Sequence, residues 1–482
     1  MRGTWGRLRR ATALVCVSAG IAAILAGCEL IANEADKRLN GLADTPLPTT
    51  EENAYNRQFM IIDLHADTLM WRRGLADRAP TVTENGKAKP IGQVDLQRMV
   101  EGNVGLQVLT MPTRVPTKND ALRCTDANGS DPAPLLAMAG GWSPAAWGSP
   151  YRRAVEQAQR LEAAAKRPGP PSVKLIKTHK DLEDWLKARF APRSAQDRNR
   201  IGVLLGAEGA HAFSADLGQE FETLYGLGLR LVGPMHHFTN VYGGSSEGCE
   251  TVQLGLTAEG KRLVRTMFSR DMIVDVAHAS SRAIEDSVAI AQEFRQPLLV
   301  SHTGIRNYLK RHRQLDVSQS HIDQAVRRAI SDKEIGEVAG TGGAVGVIYW
   351  EDQIGAAKVE NIVGSITQAY CDLKSTGSTG FWQVKDASEH VALGSDWDGA
   401  AFNAIGADGV AAVTAGLCKA GFTDEQVANI AGLNACRVIA QRLSGGRLDY
   451  GDARKLCRSS LPPSLRSCDG DKKPRTVNCP PA

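Results

Sequence analysis

Aromatic residues make up only 5% of the 482-residue chain, and neither sign of charge dominates, with 57 lysines and arginines against 53 aspartates and glutamates for a net charge of +4. That near balance gives no electrostatic reason to invoke nucleic acid, and the shortage of aromatics adds nothing to the idea. No two cysteines show the Cys-x-x-Cys spacing of a zinc ribbon. The glycine-rich stretch Gly340-Thr341-Gly342-Gly343 precedes an apolar run instead of linking a strand to a helix, so it is not a dinucleotide fingerprint. The apolar stretch 11–25 is too short to cross a bilayer comfortably.

What is present begins with that stretch. Arg2, Arg7, Arg9 and Arg10 precede it, and Leu25-Ala26-Gly27-Cys28 follows. Charge, apolar core and small residues before a cysteine, in that order, resemble the lipobox of bacterial lipoproteins. The resemblance implies a signal peptide over 1–27, lipid on Cys28 and an exported body tethered to the cell envelope. Glu29 is not the aspartate that retains some lipoproteins at the inner membrane, which favours the periplasmic side of the outer membrane. Residues 28–58, polar with scattered proline and threonine, read as a linker. The main domain covers 59–449, and 450–482 forms a cysteine-containing tail. Apart from Cys16 and Cys28, eight cysteines remain, an even number in an oxidising compartment, which points to disulfides, in the tail above all, without fixing their pairing.

Within the domain, apolar runs at 60–64, 104–111, 201–205, 229–232, 272–276, 297–300, 344–349 and 391–393 read as strands. Helical patterns fall between them, as at 94–99 and at 257–269, where Thr257 can cap the N-terminus. Eight alternating units with chemistry at the strand ends imply a (β/α)8 TIM-type barrel, with an open doubly wound sheet as the structural alternative. Residues 113–200 change character and read as a helical insertion, with helices near 151–166 and 178–190.

Several runs end in metal-ligand residues. His65 and Asp67 project the same way if 61–67 is a strand. Glu208, His278 and His302 follow three later runs. Three imidazoles and two carboxylates at the same end of a barrel exceed what one catalytic zinc takes, and suit two metals sharing a carboxylate.

At this point the chain resembles the membrane dipeptidases, or renal dipeptidases, of the amidohydrolase superfamily. The likeness rests on Asp63-Leu64-His65-Ala66-Asp67, Gly206-Ala207-Glu208-Gly209, the stretch from Gly228 to His236, Gly255-Leu256-Thr257 with Gly260, Asp275-Val276-Ala277-His278, Ser301-His302, and Gly394-Ser395-Asp396-Trp397-Asp398-Gly399. It implies two zinc ions, one on His65 and Asp67, the other on His278 and His302, bridged by Glu208. It implies that His236 contacts the substrate and the transition state, with His237 as competitor, and that Arg313 binds the substrate carboxylate, although Gln314 replaces the usual asparagine. Asp396 is the expected catalytic acid, with Asp398 in support. The implied reaction is dipeptide hydrolysis by a hydroxide that bridges the metals, and a homodimer is implied as well. Related barrels hydrolyse N-acyl amino acids, lactones or phosphoesters. A purely binding surface lipoprotein would have lost ligands, whereas all five positions are filled.

Overall fold

The computed structural model describes residues 29–84, 87–117, 124–125, 127–190, 199–249, 254–312, 319–468 and 475–480. Eight strands run parallel: β1 Ile61–Ala66, β2 Val104–Leu109, β3 Arg200–Glu208, β4 Leu229–Gly233, β5 Ile273–Val274, β6 Leu299–Thr303, β7 Ala344–Val347 and β8 Val391–Leu393. Neighbours in sequence pair from β1 to β5 and again from β6 to β8, as in Ile62↔Leu106 between β1 and β2 and Val345↔Val391 between β7 and β8. Strand β8 returns to β1 through Asp63↔Leu393. Between β5 and β6 the only strand-type contact is the bridge Asp275↔Leu299, next to a hydrogen bond from the Val276 N–H to the Leu299 carbonyl at 2.8 Å. The circle closes there, and the expected TIM-type barrel is the observed fold.

The strands are buried along their length, which is why they read as continuous apolar runs rather than as alternating ones. The connecting helices bury one stripe each. In Ala258–Ser269, capped by the Thr257 side chain on the Gly260 N–H, the covered residues include Leu263, Val264, Met267 and Phe268.

Two stretches differ from the sequence expectation. Part of 113–200 is no insertion: the helix His179–Phe190 links β2 to β3, and its fully buried Trp185 lies so close to Gly105 and Gly202 that a Cβ on either would meet the indole at 3.1–3.2 Å. The additional material is Ala133–Ala139, Pro144–Trp147 and Pro150–Ala165, with a small core of its own around Trp71 and Trp142, and a strand Ser172–Leu175 parallel to β3.

The segment 28–58 is not a linker where the structure describes it. Residues 29–39 are helical, Arg73 sits between Asp36 at 2.8 Å and Asp398 at 2.6 Å, and Leu42 bridges to Asn403. A capping box between Thr49 and Glu52 then starts the helix Thr50–Asn56, which buries Tyr55. The polar residues that suggested solvent are used in caps and buried ion pairs. Cys28 and the expected signal peptide lie outside the described residues, among which no helix is long and apolar enough to cross a membrane.

Candidate metal centre

The C-terminal ends of the barrel strands gather the predicted ligands around one carboxylate. Glu208 is the last residue of β3, and its Oε1 lies 3.3 Å from His65 Nε2, 3.0 Å from His278 Nε2 and 3.3 Å from His302 Nε2. Its Oε2 is 3.3 Å from His236 Nε2. His65 belongs to β1, and Asp67 just beyond it comes within 3.6 Å of the same ring. The Thr110 hydroxyl, after β2, donates to Asp67 Oδ1 at 2.6 Å. Donor atoms of His65, Asp67 and Glu208 lie within 4.8 Å of one another, and so do those of Glu208, His278 and His302. Two triads therefore share Glu208.

Buried carboxylates fix the backbone around these ligands. Asp63 accepts from Gln107 Nε2 at 2.6 Å, the Ser395 N–H at 2.8 Å and the Ser395 hydroxyl at 2.9 Å, which joins β1 to β2 and β8. Asp275 accepts the N–H groups of Ala277 at 3.0 Å and Ser301 at 2.8 Å, across the β5–β6 junction. His278 and Asp396 both adopt φ of 61°, a left-handed conformation that lets each side chain turn sharply off its strand end.

The donor set fits a cation. Glu208 Oε1 is buried without a hydrogen-bond partner, in the middle of the cluster. The Nε2 atoms of His278 and His302 face each other at 3.0 Å while their Nδ1 atoms meet Glu247 and Ser301 Oγ. Ring nitrogens this close must share either a proton or a cation.

The charged groups shift one another. Burial would raise the Glu208 carboxyl, but His236 and His65 opposite it, with His278 and His302 beside it, hold it well below the usual carboxylate range. Burial and the Glu208 charge push Asp67 up to about 6. Burial, opposed by His65 and reinforced by Glu208 and Asp67, raises Asp396 well above its ordinary value. Burial and the neighbouring His65 depress His302. The shifts are mixed in sign: Glu208 is held down and Asp67 and Asp396 are pushed up, while among the histidines His65 is raised and His302 is depressed, the mark of acids and imidazoles crowded without solvent between them.

The two ambiguous pairs are separated. His236 turns to Glu208, with its Nδ1 3.1 Å from the Arg114 carbonyl, whereas His237 Nδ1 sits 2.9 Å from Glu247. Asp396 Oδ1 comes within 3.9 Å of His65 Nε2. Asp398 turns away and accepts from the Thr68 hydroxyl at 2.8 Å and the Gln93 N–H at 2.7 Å. Arg313 lies outside the described residues. Sequence reasoning missed Thr110, Glu247 and Arg328, whose Nε lies 3.7 Å from Glu247 Oε2. Thr110 falls at the end of the run 104–111, just past the observed strand, which is a usable signal, but Glu247 sits in a loop with no regular spacing.

Among curated proteins, the chain is 26% identical over 245 residues to Dipeptidase verJ of Clonostachys rogersoniana, covering 50% of this chain and 55% of that one. It is 24% identical over 405 residues to Dipeptidase ataJ of Aspergillus terreus, covering 79% and 84%. The chain thus spans little more than half the length of the first of these relatives. Among solved structures, a metallopeptidase named dipeptidase AC superposes with a TM-score of 0.55 at 21% identity, over 80% of this chain and 99% of that one. A metallopeptidase of Rhodobacter sphaeroides, solved with a phosphinate mimic of the dipeptide L-Ala-D-Ala, gives 0.52 at 19%, over 80% and 99%. These likenesses bear on the fold. The family model described as membrane dipeptidase, peptidase family M19, matches residues 49–444, and the chain belongs to that family.

Proposed function

We propose that this protein hydrolyses dipeptides at a binuclear zinc centre held by His65, Asp67, Glu208, His278 and His302. The observation that carries the reading is Glu208, whose one unpartnered buried oxygen is approached by three imidazoles from three other strand ends. When bound, the zinc pair supplies Lewis-acid activation of a water molecule and of the peptide carbonyl. The chain's own groups do the rest. Asp396 takes the water proton on its carboxylate and returns it to the leaving amine. His236 stabilises the developing oxyanion from Nε2. With Nδ1 facing the Arg114 carbonyl, which only accepts, His236 must gain a second proton to donate from Nε2; burial holds its imidazole well below the ordinary value, and the Glu208 carboxylate 3.3 Å away opposes that only in part. The resemblance gives Arg313 the free carboxylate of a short substrate, and a guanidinium in that role would favour dipeptides over longer chains.

The test is zinc reconstitution of the chelator-stripped chain followed by a dipeptide panel that includes D-residues at the C-terminal position. Two equivalents of zinc and turnover that returns with them are expected, both lost in His278→Ala. Turnover of lactones or phosphotriesters but of no dipeptide would overturn the assignment. We also propose that Cys28 carries the lipid anchor; Cys28→Ala would then leave the membrane fraction, and a variant still sedimenting with membranes would refute it.

A further inference from the structure

One wall of the centre comes from a loop instead of a strand end. Residues 243–249 carry Glu247, which is 2% exposed. Its Oε2 accepts a hydrogen bond from His278 Nδ1, its Oε1 lies 2.9 Å from His237 Nδ1, and Arg328 Nε lies 3.7 Å from Oε2. A carboxylate only accepts, so His278 carries a proton on Nδ1, which leaves Nε2, 3.0 Å from Glu208 Oε1, as the atom that can meet a metal. The other rings differ: His302 Nδ1 meets the Ser301 hydroxyl at 2.9 Å, and His65 Nδ1 meets the same hydroxyl at 3.1 Å.

His278 needs such support more than the others do. Strand β5 ends at Val274, four residues earlier, and the His278 backbone is left-handed. The loop supplies the support. The Ser246 N–H donates to the His278 carbonyl at 2.9 Å, and the Ser280 N–H donates to the Gly244 carbonyl at 2.9 Å. On the far side the Thr125 N–H donates to the Glu247 carbonyl at 2.8 Å, and the Cys124–Cys249 disulfide ties the loop down.

We propose that Glu247 is the positioning residue for the His278–His302 half of the centre, fixing the His278 ring by its Nδ1–H, and that the Cys124–Cys249 bond holds Glu247 in register. The inference rests on the two-metal reading above. A carboxylate behind a metal-binding histidine sets its tautomer and raises its basicity, and losing such a partner typically weakens metal binding by about 10–100-fold. Among the described residues the Ser301 hydroxyl, and no carboxylate, meets His65 Nδ1, so the two halves respond differently.

The experiment titrates zinc alone into the stripped full-length chain against a chromophoric chelator. The wild type is expected to take up two equivalents. Glu247→Gln keeps one of them at wild-type affinity and weakens the other by about 10–100-fold. Glu247→Asp recovers part of the loss, and the paired change Cys124→Ser with Cys249→Ser weakens the same equivalent by a smaller factor. Unfolding temperatures of the stripped variants stay within a few degrees of wild type. Two wild-type equivalents bound unchanged by Glu247→Gln would overturn the inference alone, as would equal weakening of both equivalents together with a large fall in unfolding temperature. A wild type that takes up fewer than two equivalents would overturn the binuclear reading and this inference with it. Should Glu247→Gln not fold, the same criteria apply to the paired serine variant.

Discussion

Asp396 and Asp398 stand two positions apart at the end of β8, and their surroundings give them different work. Asp396 faces the ligand cluster, while Asp398 is held by Arg73, Thr68 and Gln93. Asp396→Asn keeps the shape and removes the proton acceptor, so kcat on dipeptides is expected to fall by about 10²–10⁴ with zinc content intact, read by steady-state kinetics beside metal analysis. His390, remote from the centre, carries a pH signal. Burial, with Arg437 beside it, pushes its imidazole down from 6.5 to about 3. Burial, with Arg114 and Arg153 near, does the same to His211, also to about 3. Between those values the unfolded chain binds the proton and the folded chain does not, so stability is complete above 6.5 and falls on acidification, by about 1.4 kcal/mol per pH unit for each group. The unfolding temperature is expected to drop from pH 7 to pH 5, and by less in His390→Asn. At this scale the ligands were legible in the sequence because each follows a readable strand. Glu247 was not, because its partner His278 is 31 residues away and no period connects them.

At the scale of elements, the strands were legible and the polar start of the fold was not. Apolar runs mark the barrel because both faces of each strand are covered. Between residues 29 and 58 the contacts are made by charge and by caps, which composition alone reads as solvent-exposed chain. The Arg73 guanidinium, 2% exposed between Asp36 and Asp398, joins that segment to the loop after β8. Arg73→Met leaves two buried carboxylates without their cation, and a loss of about 3–5 kcal/mol is expected in denaturant unfolding, with earlier protease cleavage between residues 29 and 43. An unchanged midpoint would mean that the first helix adds nothing to the barrel.

At the scale of the whole molecule, the eight cysteines outside the first 28 residues are all paired: Cys124–Cys249, Cys371–Cys479, Cys418–Cys468 and Cys436–Cys457. Three of these pairs fasten the tail to the domain, as the even count suggested, but the partners depend on which helix ends meet in space and could not be read from spacing. Non-reducing peptide mapping is expected to recover these four crosslinks, and a different pairing would displace the tail. The closure of the barrel has a further consequence. It is thinnest between β5 and β6, and His278 and His302 stand on the two banks of that gap. An ion gripped by both would act as a clasp on a hoop, so stripping it should let solvent deuterium reach the Val276 amide sooner than its counterparts at the other seven joints. Cargo-free and loaded chains would then differ in how firmly the ring is shut.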